Sequence, residues 1–405
     1  MNLMMFDLSV RGHHPSYIQY LIQYWDKNTL PGRLDIVVSQ RFVVEHADVL
    51  EYADRCSSKN IQFVPISAAE EALLSSRKSR LKRAFRFFQE WQILCRYAKA
   101  LKATHCLVLY FDTYQIPLLF GLTAPCSFSG IYFRPTFHYD RLTLARSSEG
   151  DRLQKWREIF SISRVLKHPQ LKMLFCLDPF AVDFVKKRYK TDRICHLPDP
   201  ILPIAAEKNC SQSLKKQLQI EEKRTVFLMF GSLTERKGIY QLLEAIASLS
   251  DEWCDRLCLL LVGESRISQQ IDEKIAKISQ IKPIQAIARY QFIPDSEIPD
   301  YFQISDVILA PYQRHVGMSG ILLWAAAANK PILSSDYGLM GEMVDRYGLG
   351  LTVDSSIPEE IAKGLMECLS QPASSLGDRA KMKHFVEQNS VHRFTQTIFN
   401  SLKDI

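Results

Sequence analysis

Apolar residues along this chain fall into two alternating rhythms. Short apolar runs at Met4–Ser9, Leu34–Val38, Gln62–Pro65, Cys106–Tyr110, Ser129–Phe133, Met173–Leu177 and Arg193–Leu197 read as strands covered on both faces. Between them, segments such as Ser16–Trp25 and Gln89–Ala103 carry apolar positions at helical spacing. Strand and helix in alternation predict a parallel sheet with helices on its faces. The rhythm breaks at Leu197-Pro-Asp-Pro-Ile-Leu-Pro203, followed by polar residues to Lys223. That stretch reads as a linker, with a short helix around Ser213–Leu218. A second series follows, with strands at Val226–Phe230, Cys258–Val262, Ala288–Phe292, Asp306–Ala310 and Pro331–Ser334. Helices are predicted over Ile239–Leu249, Ile267–Ile278, Asp295–Gln303, Gly320–Ala328, Met340–Arg346, Pro358–Leu369 and Arg379–Leu402. The expected fold class is α/β, with two doubly wound, Rossmann-like domains facing across a cleft. Ligands of such sheets bind beyond the carboxyl ends of the strands.

Bulk properties agree with that picture. A length of 405 residues exceeds what one ordinary core supports. A composition of 47% hydrophobic and 23% charged residues, without repeats or low-complexity tracts, is that of a soluble globular chain. The net charge of +7 suits an anionic ligand or a membrane surface, but is too diffuse to argue for nucleic acid. No apolar run is long enough to span a bilayer, and Met1–Asp7 is too short and acid-terminated for a signal peptide. The ten cysteines are scattered without a CxxC pair or metal spacing; Cys254 and Cys258 lie four apart on a helix-like segment without a local histidine. Buried reduced thiols and a cytoplasmic location are expected, and no metal site.

The most informative stretch is Val226-Phe-Leu-Met-Phe-Gly231-Ser-Leu-Thr-Glu-Arg236-Lys237-Gly238, ahead of the helix that opens at Ile239. A buried strand, a glycine, a basic loop and a helix start form an arrangement that holds a phosphate: amides and the helix dipole favour an anion, and the cations neutralise it. An ordinary strand-to-helix turn with a solvated basic pair is the competing reading. A second loop, Pro311-Tyr-Gln-Arg314-His315-Val-Gly317-Met318-Ser319-Gly320, again places glycine and serine before a helix, with Ser319 at the N-cap position. Two such starts in one domain would embrace a diphosphate.

With these loops in their order, the second half resembles the C-terminal domain of retaining family-four glycosyltransferases of the GT-B fold. The matching features are Gly231-Ser-Leu with Arg236-Lys237-Gly238, Leu261-Val-Gly263, Ile298 with Tyr301-Phe and Ser305-Asp306-Val-Ile-Leu-Ala-Pro311. Further on they include Ala325-Ala with Asn329-Lys-Pro331-Ile, and Gly338 with Glu342-Met-Val and Gly348-Leu-Gly350. The resemblance covers the first half mainly through architecture. It implies residues 1–200 as the acceptor-side domain, 201–383 as the nucleotide-sugar domain, and 384–405 as a terminal helix packing back on the first. It implies transfer of a sugar from a nucleotide-diphosphate donor to a hydroxyl acceptor (a saccharide, a lipid-linked saccharide or a small molecule), with retention and without a metal. No cofactor is implied; a UDP-, GDP- or ADP-sugar is a substrate. Lys237 maps onto the family's diphosphate lysine, while Ser232 stands where an arginine is usual, leaving Arg236 to supply that charge. Gly317, Met318, Ser319 and Gly320 would offer backbone amides, and Gly263, Phe292 and Ile293 would lie by the nucleotide base. The family's two glutamates fall on Val316 and Trp324, which cannot accept the hydrogen bonds those carboxylates accept. His315 is left to reach the sugar. A non-catalytic saccharide-binding or scaffold relative is the alternative.

The first half offers two loops. Ser9-Val-Arg11-Gly12-His13-His14-Pro15 follows the first strand, where the resembling family closes a glycine-rich loop over donor or acceptor; Gly12 and His13 or His14 are the candidates there. Asp112, after the strand at Cys106, stands near the place of a family histidine and reads either as an acceptor-orienting base or as a helix N-cap. Arg134 and His138 are secondary candidates. Finally, Arg77, Lys78, Arg80, Lys82, Arg83 and Arg86 interleave with Phe85, Phe87, Phe88 and Trp91. Such a helix suits the anionic inner face of a membrane; an ordinary amphipathic helix with its aromatics in the core is the competing reading.

Overall fold

The computed structural model describes residues 1–74, 80–139, 149–202, 204 and 208–403, leaving aside the side chains of 80–84, 149–152 and 208–212. The chain divides into two compact units, one of Met1–His138, Ser147–Pro200 and Val391–Ile405, the other of Tyr139–Arg146 and Ile201–Ser390.

The first unit is built on seven strands: β1 Asn2–Phe6, β2 Arg33–Val38, β3 Ile61–Pro65, β4 His105–Val108, β5 Ser127–Tyr132, β6 Leu171–Cys176 and β7 Ile194–His196. They lie in the order β3-β2-β1-β4-β5-β6-β7, every neighbour parallel. Winding reverses between β1 and β4, which makes the carboxyl ends of those two strands the ligand crevice expected of a doubly wound sheet. The core beneath joins Met4, Phe6, Cys106, Phe128 and Leu174 to the helix residues Trp91, Leu94 and Val185. Trp91 thus belongs to the core, while Phe85, six residues earlier in the same helix Arg80–Ala100, is 64% exposed. Helix Val391–Leu402 completes this unit by laying Phe394 on Tyr17, with ring centroids 4.7 Å apart, and Phe399 flat on Tyr24 at 4.8 Å.

The second unit has six parallel strands: β8 Thr225–Phe230, β9 Leu257–Val262, β10 Gln285–Arg289, β11 Val307–Ala310, β12 Ile332–Ser335 and β13 Gly350–Val353. Their order is β10-β9-β8-β11-β12-β13, and the reversal falls between β8 and β11.

Four local expectations are corrected. The strand anticipated over Ala288–Phe292 starts at Gln285 and ends at Arg289, because it is a half-exposed sheet edge whose weak Gln-Ala-Ile-Ala pattern hides beside the aromatic Tyr290–Phe292. Strand β13, four residues long, opening on a glycine and only partly buried, carried too little apolar signal to be anticipated. Cys254 and Cys258 do not share a helix: the first lies in Asp251–Asp255, the second in β9. The last predicted helix is two, Arg379–Gln388 and Val391–Leu402. At the break, the Asn389 carbonyl accepts the Ile201 N–H at 2.8 Å, and Ser390 forms a parallel bridge with Ile201.

Candidate active site

In the second unit the strand ends are drawn together by glycines. Beyond β8, Gly231 takes a φ of +96° and donates its N–H to Val262. Gly263, at φ +129°, approaches so closely that a Cβ there would lie 2.3 Å from the Gly231 oxygen. A 3₁₀ turn at Glu235–Lys237 leads to Gly238, at φ +74°, where a Cβ would lie 2.0 Å from the Pro311 oxygen. The loops after β8 and β11 are therefore pressed against each other, and L side chains are excluded from both conformations.

This turn aims Lys237 back at its own strand. The side chain is 5% exposed; its Nζ donates to the Phe230 carbonyl and, at 2.8 Å, to the Tyr312 hydroxyl, and lies 4.7 Å from the Tyr312 ring centroid. Both oxygen partners are neutral, so neither cancels the ammonium charge. Arg236 is exposed, with its guanidinium 2.6 Å from Nδ1 of His315 and 5.6 Å from the Tyr312 ring centroid. His315 meets Tyr312 edge-on at 5.4 Å. Lys237, Arg236, Tyr312 and His315 form one cationic cluster at the β8–β11 reversal. Ser232 is exposed beside it.

The amide loop departs from expectation. Gly317, at φ +90°, already donates its N–H to the Tyr139 hydroxyl at 2.7 Å. Ser319 sits at the N-cap of helix Gly320–Ala327 without a capping hydrogen bond from its side chain, and Met318, Ser319 and Gly320 are half-buried. Trp324 lies against Phe302 at 5.9 Å, and Phe302 against Phe230 at 5.4 Å, so the position of the family's second glutamate belongs to an aromatic cluster. Of the proposed base-side residues, Phe292 is 68% exposed and Ile293 is buried.

In the first unit the reversal between β1 and β4 holds Asp7, His14, Tyr110 and Asp112. Asp7 follows β1 directly; its Oδ1 accepts the Ser9 N–H at 2.9 Å and its Oδ2 lies 2.6 Å from Nδ1 of His14. Opposite a carboxylate that nitrogen is the donor, which leaves Nε2 for other chemistry. The His14 pKa is raised: burial opposes the charge, but the charge and hydrogen bond of Asp7, with the more distant Asp112, outweigh it. Phe133 stacks on the ring at 5.8 Å and Tyr110 meets it at 5.7 Å. His13, by contrast, is exposed and stacks on Tyr17 at 5.9 Å, while Gly12, at φ +77°, borders open space.

Asp112 lies within the short turn Phe111–Tyr114 rather than capping a helix, and clasps the end of β5. Its two oxygens accept the N–H groups of Phe133 and Arg134 at 2.9 and 3.0 Å. Burial pushes its carboxyl up to about 6, against the pull of those amides and of Arg134. The Arg134 side chain is exposed. His138 is withdrawn from any surface: it is 1% exposed, with Nε2 2.9 Å from Asp178, whose other oxygen caps helix Pro179–Tyr189. Arg86 pairs with Glu90 at 2.7 Å; Arg77 and Lys78 lie outside the described residues.

Residues 211–388 match the family model described as glycosyl transferases group 1. The matched stretch falls inside the second unit's segment Ile201–Ser390. Around it the chain has the two-sheet architecture of GT-B proteins. The crystal structure of HepE from Anabaena in complex with UDP superposes with a TM-score of 0.68 at 12% identity, covering 100% of both chains. Among curated sequences, the lipopolysaccharide 1,2-N-acetylglucosaminetransferase of Salmonella typhimurium is 24% identical over 55% of this chain and 60% of its own length. The lipopolysaccharide glucosyltransferase WaaG of Escherichia coli is 22% identical over 55% of this chain and 59% of its own. The chain thus spans less than two thirds of the curated relatives it matches.

In the second unit the structure brings Arg236, Lys237 and His315 together around Tyr312. Tyr312, the residue that links them, was visible only as an aromatic one position after Pro311. In the first unit the structure pairs His14 with Asp7, which the sequence reading did not name; an acid ending the first apolar run, seven positions before a histidine on the following helix, was the available signal. Tyr139 had no local signal at all.

Proposed function

We propose that the protein transfers a sugar from a nucleotide-diphosphate donor to a hydroxyl of a saccharide, a lipid-linked saccharide or a small molecule, with retention and without a metal ion. The observation that carries this reading is the cationic cluster at the β8–β11 reversal, in which Lys237 holds a buried charge against neutral oxygens beside Arg236. A departing nucleoside diphosphate is the anion such a cluster stabilises, and stabilising it is the larger part of glycosyl transfer. The group 1 family match supports the same reading. Gly263, Phe292 and Ile293 would border the base, His315 the sugar; Gly12, His14 and Asp112 would serve the acceptor side.

A non-catalytic saccharide-binding role is the second reading, favoured by Val316 and by the packing of Trp324 on Phe302 where the family carries glutamates. Calorimetry with UDP, GDP and ADP, followed by a screen of nucleotide-sugar hydrolysis in the presence of EDTA, separates the two. Binding of one nucleotide with EDTA-insensitive turnover is expected. No binding at millimolar nucleotide by folded protein overturns the enzyme reading, and binding without turnover of any donor favours the second.

We also propose residence at the cytoplasmic face of an anionic membrane. No helix among the described residues is long and apolar enough to cross one. Supporting a peripheral contact, Phe85 is 64% exposed, and Trp156 and Phe160 stack on each other while 65% and 48% exposed.

A further inference from the structure

Tyr139 belongs to no motif, yet it sits inside the proposed donor site. Its hydroxyl accepts the Gly317 N–H at 2.7 Å, and the residue is 6% exposed. Its ring covers Gly338, which opens helix Gly338–Arg346 beyond β12 at φ +63°; a Cβ there would come within 2.6 Å of the Tyr139 ring. Tyr337 meets the same ring edge-on at 6.0 Å. One phenol therefore spans the loops that follow two adjacent strands, β11 and β12. In sequence it follows directly on His138, the last residue before the chain leaves the first unit.

A single N–H serves one acceptor well at a time. The amide that the amide-loop motif offers to a donor oxygen is, in this structure, taken by the protein's own hydroxyl. We propose that Tyr139 is an internal competitor for the donor: its hydroxyl holds the Gly317 amide, and binding of the nucleoside diphosphate or its sugar displaces it. The inference rests on the donor reading above. Its consequence is that the chain binds donor more weakly than its site permits, by the fraction of molecules in which the tyrosine holds the amide.

Tyr139→Phe keeps the ring against Gly338 and removes only the competing oxygen. UDP, GDP and ADP binding to wild type and variant should be compared by calorimetry, with melting curves confirming that both are folded. The variant should bind the preferred nucleotide roughly three- to tenfold more tightly, because the ligand then satisfies an N–H left without an acceptor. Equal or weaker binding by the folded variant, with wild type binding normally, overturns the competition and leaves the donor reading standing. Failure of both proteins to bind any nucleotide overturns the donor reading and the competition with it. Should the variant not fold, wild type alone decides: saturating nucleotide must shift the NMR signals of the Gly317 amide and the Tyr139 ring together. An unmoved Tyr139 ring overturns the inference.

Discussion

Lys237 holds an ammonium group almost out of solvent against two neutral oxygens, an arrangement that has its reason if an anion arrives. Lys237→Ala should therefore lower kcat/KM for the nucleotide sugar about a hundredfold or more while the circular dichroism spectrum is retained; near-normal turnover would contradict the diphosphate assignment. The histidine pair poses a different test. Because the folded pKa of His14 is raised, its stabilising pairing with Asp7 is present in full below the ordinary value of about 6.5 and is lost as pH rises through the higher folded value. Asp7→Asn should move the His14 ring titration downward by NMR, and its stability deficit should shrink above the wild-type midpoint. Asp112 runs by the same rule on a carboxyl: raised to about 6, it stabilises the fold below about 3.9 and loses that contribution as pH climbs through about 6. Its side-chain ¹³C signal should titrate with a midpoint near 6 rather than in the ordinary carboxylate range.

Among elements, legibility followed burial. Strands such as β1, β8 and β9, apolar and almost fully buried, stood out in the sequence because nothing else explains so many consecutive apolar residues. Edge strands β10 and β13, partly exposed throughout, lose that signature and were displaced or missed. The loop after β8 stood out because its glycines and cations lie within eight residues of sequence. The Gly317 contact was not, since its partner lies 178 positions away and only the fold brings the two together. Which of His13 and His14 faces Asp7 was not legible, because it depends on the phase of the helix that opens at His14 after Gly12. The glycine contacts are themselves open to measurement. Gly263→Ala forces a Cβ into the Gly231 carbonyl at a positive φ, and should cost about 2–3 kcal/mol in urea unfolding. A Gly121→Ala control, with open space around the Cβ, carries only the backbone strain and should cost less.

For the whole molecule, the division into two units makes ligand effects separable. The cationic cluster lies wholly within the second unit, so nucleotide should raise the unfolding transition of that unit. The gain is about 2.7 kcal/mol at a hundredfold excess over Kd. Scanning calorimetry with and without nucleotide checks this; a uniform shift of every transition would contradict the assignment. The proposed membrane contact would draw on residues of the first unit. Co-sedimentation should require anionic lipid and fall severalfold when Lys78, Arg80, Lys82 and Arg83 are neutralised, or when Trp156 and Phe160 become serine.

The discontinuity of the first unit has a consequence for biosynthesis. Its strand β1 and the helix His14–Lys27 are made before any strand of the second unit. Yet Tyr17 and Tyr24 receive Phe394 and Phe399 only after the ribosome has polymerised all of residues 201–390. The second unit is contiguous over that span and has its whole sheet in hand before the last helix emerges. The unit begun first is thus finished last, and its aromatic face waits uncovered in the nascent chain. Ribosome stalling before codon 391 should leave a nascent chain whose second unit resists protease while its first unit is cut. Chaperone dependence of expression should follow the length of that wait.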